Sequence, residues 1–170
     1  ADEGTEREAE AASDSNMSAP ASASAASNGR PNSMNRRRIF AAKAPDGDWD
    51  AKIGPGRMQD IELFAQSLAL RAASPARRVS QQLAAGIRAG LVGRTEADRL
   101  ASAHRFLWRL QAGARLLTAQ PLDMDRLGEG GRAFLLREAG EPDLPALAAR
   151  LKAVTGDAAR IIEACLPSGG

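Results

Sequence analysis

Thr95-Glu-Ala-Asp-Arg-Leu100-Ala-Ser-Ala-His-Arg-Phe-Leu-Trp-Arg-Leu110-Gln-Ala-Gly-Ala-Arg-Leu-Leu-Thr118 is the stretch that decides the fold. Leu100, Ala103, Phe106, Leu107, Leu110, Ala114 and Leu117 recur at three- and four-residue steps, which makes one continuous apolar stripe on a helix. Thr95-Glu-Ala-Asp98 resembles a capping box with Asp in place of the preferred Glu or Gln. Pro121 closes the run. A helix this long must bury its stripe against neighbours, and the flanking sequence supplies them. Upstream, Met58, Ile61, Leu63, Phe64 and Leu68 predict an amphipathic helix over 58–73. Ser74-Pro75 interrupts it, with Ser74 read as the cap of the next helix and Pro75 as its first residue. That helix carries Val79, Leu83, Ile87 and Leu91 and stops near Gly90 or Gly93. Downstream, residues 121–131 read as a loop or a loose turn, and 132–139 as a short helix ending at Gly140. Asp143 caps a last helix whose buried face is Leu147, Leu151, Val154, Ala158, Ile161, Ile162 and Cys165. No run alternates β-branched residues with period two, so strand signal is poor throughout. The fold expected is all-α: an antiparallel up-and-down helical bundle of about five helices joined by short links.

The chain has 170 residues, a length that favours one domain with a tail. Aromatics are 4% and Tyr is absent, so the core must come from Ala, Leu, Ile and Val. No apolar run is long enough to span a bilayer. Asp2, Glu3, Glu6, Glu8 and Glu10 stand where a signal peptide needs basic and then apolar residues, so the expected localisation is cytoplasmic. A lone Cys165 excludes an intrachain disulfide, and one His with one Cys makes a conventional zinc site implausible. Residues 1–33 are rich in Ala, Ser, Asn and acids and read as a weakly structured lead-in. The helical bundle domain is expected over 34–170, opening with a basic cluster at Arg36, Arg37 and Arg38 and a short helix ending near Lys43. Residues 44–50 are turn-rich, punctuated by Pro45 and Gly47. The first 33 residues hold six acids against two bases, so the net charge of +2 is +6 over the remainder. Of 23 basic residues only Lys43, Lys52 and Lys152 are lysines. Arg forms planar, bidentate contacts with phosphate and carboxylate, although a GC-rich coding sequence inflates Arg and Ala together.

The densest polar cluster is Lys52-Ile-Gly54-Pro-Gly56-Arg57-Met-Gln-Asp60-Ile-Glu62. A Gly-Pro-Gly turn into a helix N-terminus exposes backbone N–H groups and a partial positive charge, which suits phosphate, and Lys52 and Arg57 add full charges. Asp60 and Glu62 are two residues apart, roughly 200° around a helix, so they do not form one paired acid site. On composition alone the plainer reading of the same residues, a glycine turn with a charged cap, is the favoured one. On the long helix, Arg105 and Arg109 share a face that is either an anion-binding surface or a solvated one. Trp108 reads as a helix contact or part of an interaction surface. His104 has no second His and no plausible triad partner by sequence and reads as a partly exposed or satisfied core histidine rather than a base, and Cys165 reads as a buried structural thiol. No phosphate-binding Gly-x-x-x-x-Gly-Lys loop, dinucleotide fingerprint or Gly-x-Ser-x-Gly elbow is present.

Residues 52–71 resemble a segment of a known family. Lys52, Gly56, Asp60, Ile61, Glu62, Gln66, Leu68, Leu70 and Arg71 fit the segment that follows each nucleotidyltransferase domain in the bifunctional glutamine synthetase adenylyltransferase/adenylyl-removing enzyme. Met34-Asn-Arg-Arg-Arg-Ile39 and Trp49-Asp50 are similar as well. Ala103-His-Arg-Phe-Leu-Trp-Arg-Leu110 is similar to a later helix of the family. Arg57 stands where the family has a second Gly, Leu63 where Phe is usual, and His104 where Tyr is common. The resemblance covers residues 34–166 and is strongest at 52–71. The catalytic Gly-Ser and Asp-x-Asp portion of the family is missing from it. Asp46-Gly-Asp48 and Asp123-Met-Asp125 have the bare spacing but lie in turns without the partner motif.

The resemblance implies a non-catalytic helical substrate-binding or regulatory domain, the one after the C-terminal nucleotidyltransferase domain. It implies glutamine synthetase and the PII signalling protein as partners. It also implies magnesium and ATP as cofactors of the full-length family, with no cofactor or metal held by this chain. Lys52, Gly56, Arg57, Asp60 and Glu62 would sit at the domain junction or nucleotide cleft. The alternative is a stand-alone helical interaction module whose Arg-rich face, Arg105 and Arg109, grips an acidic protein. Nucleic acid is the weaker third reading, with few aromatics and a thinly spread charge, and no membrane partner is expected.

Overall fold

The computed structural model describes residues 45 and 47–166. The readings placed on residues 1–44, including the lead-in and the short helix near Lys43, lie outside the described residues. Five helices make up the architecture, and no strand occurs among the described residues: α1 (Met58–Arg71), α2 (Val79–Arg88), α3 (Arg94–Leu117), α4 (Glu129–Ala139) and α5 (Leu144–Cys165). The all-α reading holds.

The long helix α3 is the hub and packs against each of the other four. Its stripe, with Leu100, Leu107 and Leu110 almost fully buried, meets Ile61 and Leu68 of α1, Leu83 of α2, Leu135 of α4 and Leu147 and Ile162 of α5 in one core. Aliphatic side chains dominate that core, with Phe64 and Phe106 its buried aromatics. Along the α3–α5 pair, Arg99 meets Asp157 and Phe106 lies under Arg150.

Two helix starts differ from the sequence expectation. Ser74 does not cap α2. The chain first closes α1 with Ala73 N–H donating to Leu70 O and Ser74 N–H to Ala69 O, and Ala73 takes a left-handed φ of 48°. Ser74 is consumed in that ending, its Oγ accepts from Ala76 N at 3.3 Å, and α2 begins only at Val79. Thr95 is not the cap of α3 either. The cap position is Gly93, without a side-chain bond, and the Glu96 carboxylate folds back against it. An acid there suits the positive end of the helix. The short fourth helix starts at Glu129, three residues earlier than the pattern of apolar residues suggests. Met124, in the loop before it, is buried. Asp143 caps α5 as expected, its Oδ1 accepting from Ala146 N at 2.8 Å.

Candidate functional site

Residues 50–60 fold into a corner tied by their own backbone. Asp50 Oδ1 accepts the N–H groups of Lys52 at 2.8 Å and Ile53 at 3.2 Å. The chain then turns through Gly54-Pro55-Gly56, with Arg57 N–H on Gly54 O at 3.2 Å. Met58 N–H donates to Ala51 O and Gln59 N–H to Lys52 O, at 3.1 and 3.0 Å. Gly56 N–H donates to Asp60 Oδ2 at 2.7 Å, and Asp60 is 1% exposed. Six of the N–H groups expected of a phosphate cradle, those of Lys52, Ile53, Gly56, Arg57, Met58 and Gln59, are therefore spent on the corner itself. A carboxylate this deeply buried needs hydrogen bonds to offset its lost hydration, and the glycine amide supplies one.

Gly56 shows why the corner has this shape. Its φ is +67°, and a Cβ there would stand 1.9 Å from Thr155 O and 2.7 Å from Ala159 N of α5. The turn lies backbone to backbone on α5, an approach open only to a residue without a side chain.

Glu62 leaves the helix on another side and meets His104 of α3, with Oε1 and Nε2 3.1 Å apart. His104 is thus a partly buried, satisfied histidine, and its partner lies 42 residues away in sequence, on a different helix. Lys52, exposed, borders a cleft of about 200 Å³ with Trp49, Gln111 and Arg115. Arg57 lies over Gly54, and its Nη1 is buried without a hydrogen-bond partner. The five residues thus point to different neighbours and do not converge on one cavity. No group of three or more His, Cys, Asp or Glu among the described residues could hold a metal ion.

Arg105 and Arg109 are both exposed on α3, one turn apart. Arg105 donates to Ser102 Oγ at 2.9 Å, and Arg109 makes no ion pair or hydrogen bond among the described residues. Trp108, undecided from sequence, stands between them 57% exposed, and Leu116 on the following turns is 78% exposed. The result is an arginine-flanked aromatic surface.

The sequence reading passed over Arg150. Its guanidinium lies 4.4 Å from the Phe106 ring centroid and donates from Nη1 to Ala139 O and Glu141 Oε1, at 2.8 and 2.6 Å. It ties the end of α4 to α3 and α5 and walls a groove of about 440 Å³ with Arg99 and Asp157. Nothing in the local pattern marks it, because each contact is made to another element. Cys165 is only partly buried. Burial, with the Glu96 carboxylate adding to it, pushes its thiol above the ordinary range.

Residues 32–157 match the family described as GlnD PII-uridylyltransferase. The chain belongs to this family. The GlnD-family match runs from before the described residues into α5, so it takes in the corner, the hub helix and the arginine face. Curated relatives are bifunctional glutamine synthetase adenylyltransferase/adenylyl-removing enzymes. That of Brucella suis biovar 1 is 31% identical over 112 residues, 64% of this chain and 11% of the relative. That of Bradyrhizobium sp. strain BTAi1 is 32% identical over 136 residues, 76% of this chain and 14% of the relative. The chain thus spans 11–14% of the length of these two relatives. No solved structure matches it significantly. None of the described helices is long and apolar enough to cross a membrane.

Proposed function

We propose that this chain is a non-catalytic helical domain of a glutamine synthetase adenylyltransferase/adenylyl-removing enzyme, and that it binds glutamine synthetase for the adenylyl chemistry of a neighbouring domain. The observation that carries the reading is how the family-like residues are used. Gly56, Asp60 and Glu62 tie α1 to its own turn, to α5 and to α3, while Arg105, Trp108 and Arg109 stay uncovered. Structural residues are consumed inside the bundle, and the exposed groups are of the kinds that dominate protein interfaces. The unpartnered Arg57 Nη1 supports placing the corner against an adjoining domain, whose carbonyl or carboxylate would take that donor. PII is the regulatory partner on this reading.

The test is a pull-down of glutamine synthetase and of PII by the chain, with Arg105→Glu and Arg109→Glu variants alongside. A parallel incubation with ATP, magnesium and glutamine synthetase measures AMP transfer. The reading expects capture of glutamine synthetase, its loss in the variants, and no AMP transfer. AMP transfer by the chain alone, or capture indifferent to both substitutions, would overturn it.

A second reading has a specific observation behind it. Two unpaired cations flanking an exposed Trp suit any acidic protein, which makes the chain a free-standing interaction module. Capture of PII or of other acidic proteins without glutamine synthetase would favour that reading.

A further inference from the structure

A second basic surface lies on a different element. The connection over residues 74–78 and the outer side of α2 enclose a groove of about 670 Å³. Arg77, Arg78 and Arg88 wall it, and Pro75, Ala76 and Ala84 give it a small apolar floor. No acidic residue lines it. None of the three guanidiniums has an ion pair or hydrogen bond among the described residues. Four other arginines are neutralised, Arg99 and Arg160 by Asp157, Arg126 by Asp123, and Arg150 by Glu141; those of the groove are not. The N-terminus of α2 opens in the same region with no side-chain cap and no acid in its first turn, which adds to the uncompensated positive field.

We propose that this groove binds an acidic peptide segment of a partner protein. Three unpaired guanidiniums offer forked donors that match carboxylates two at a time. The Pro and Ala floor accepts short apolar side chains between the acids. No aromatic side chain lines the groove, so bases have no stacking platform, and three charges are few for a nucleic-acid track. The peptide is therefore favoured over a nucleic acid. The proposal does not rest on the glutamine synthetase reading, because the residues belong to another face.

The experiment is fluorescence anisotropy of a labelled alternating Glu-Ala peptide titrated with the full chain. Arg77→Glu/Arg78→Glu and Arg88→Glu are the test variants, and Lys152→Glu on α5 is the control. All four residues are exposed, and circular dichroism verifies folding. The proposal expects saturable binding, about tenfold weaker in each groove variant as charge-assisted hydrogen bonds are lost, and unchanged within about twofold in the control. It is overturned if the wild-type chain does not bind. It is also overturned if the control variant loses as much affinity as the groove variants, or if single-stranded DNA displaces the peptide at lower charge concentration.

Discussion

Of the glycines among the described residues, Gly56 carries the tightest geometric demand, since a methyl group there would collide with the α5 backbone at Thr155. A backbone atom cannot swing aside as a side chain can, so the corner must lift off α5. Gly56→Ala should lower stability by about 3 kcal/mol, within the large class of single-residue effects, read as the midpoint of urea unfolding. The opposite expectation holds for Ala73, which takes the left-handed conformation normally left to glycine. Ala73→Gly removes a Cβ penalty of about 1 kcal/mol and should raise the midpoint. At Cys165 the thiol is held above its ordinary range by burial first and by Glu96 second. The protonated form is favoured in the fold. Thiol alkylation at pH 8 should therefore be slower in the native chain than in the unfolded one, and Glu96→Gln should speed it. The sign for stability follows: this contribution is complete below the unfolded thiol range near pH 8.5 and is lost as pH rises through the higher native value. A native chain alkylated as fast as the unfolded one would contradict the placement of Glu96.

At the scale of elements, every helix in the described region was legible in the spacing of its apolar residues, because burial on one face is a local, periodic signal. The joints were less so. Ser74 looks like a cap, yet the residue before it, Ala73, adopts a conformation that sequence rarely assigns to alanine, and that one dihedral moves the start of α2 to Val79. Thr95 looks like a cap, yet Gly93 takes the position while Glu96 supplies the negative charge. The candidate site was legible as a list of residues and not as an arrangement. Glu62 with His104, and Gly56 on Thr155, are pairings across the fold that no local spacing encodes. Helix α5 offers a check on the packing account. Gly156 lies on α5 with nothing within 4 Å of a built Cβ, so Gly156→Ala should raise stability by about 1 kcal/mol, the ordinary helix preference of Ala over Gly. Thermal unfolding of the two glycine variants side by side should move in opposite directions.

For the whole molecule, α3 joins stability and recognition. One side buries Leu100, Leu107 and Leu110 against all four other helices, and the other presents Arg105, Trp108 and Arg109 outward. Leu107→Ala should cost about 2–5 kcal/mol because the surrounding helices cannot collapse into the space. Arg105 and Arg109 lie outside that core, so replacing them should leave the unfolding midpoint within about 0.5 kcal/mol of wild type. Binding and stability are thus separable on one helix, and that separation allows the partner to be tested without unfolding the protein. The most direct measurement is a titration of glutamine synthetase into the fluorescently labelled chain, wild type beside Arg105→Glu/Arg109→Glu. The account predicts saturable binding by the wild-type chain, weakened at least about tenfold in the folded double variant. Equal affinity of the two chains, or no binding by the wild type, would contradict it.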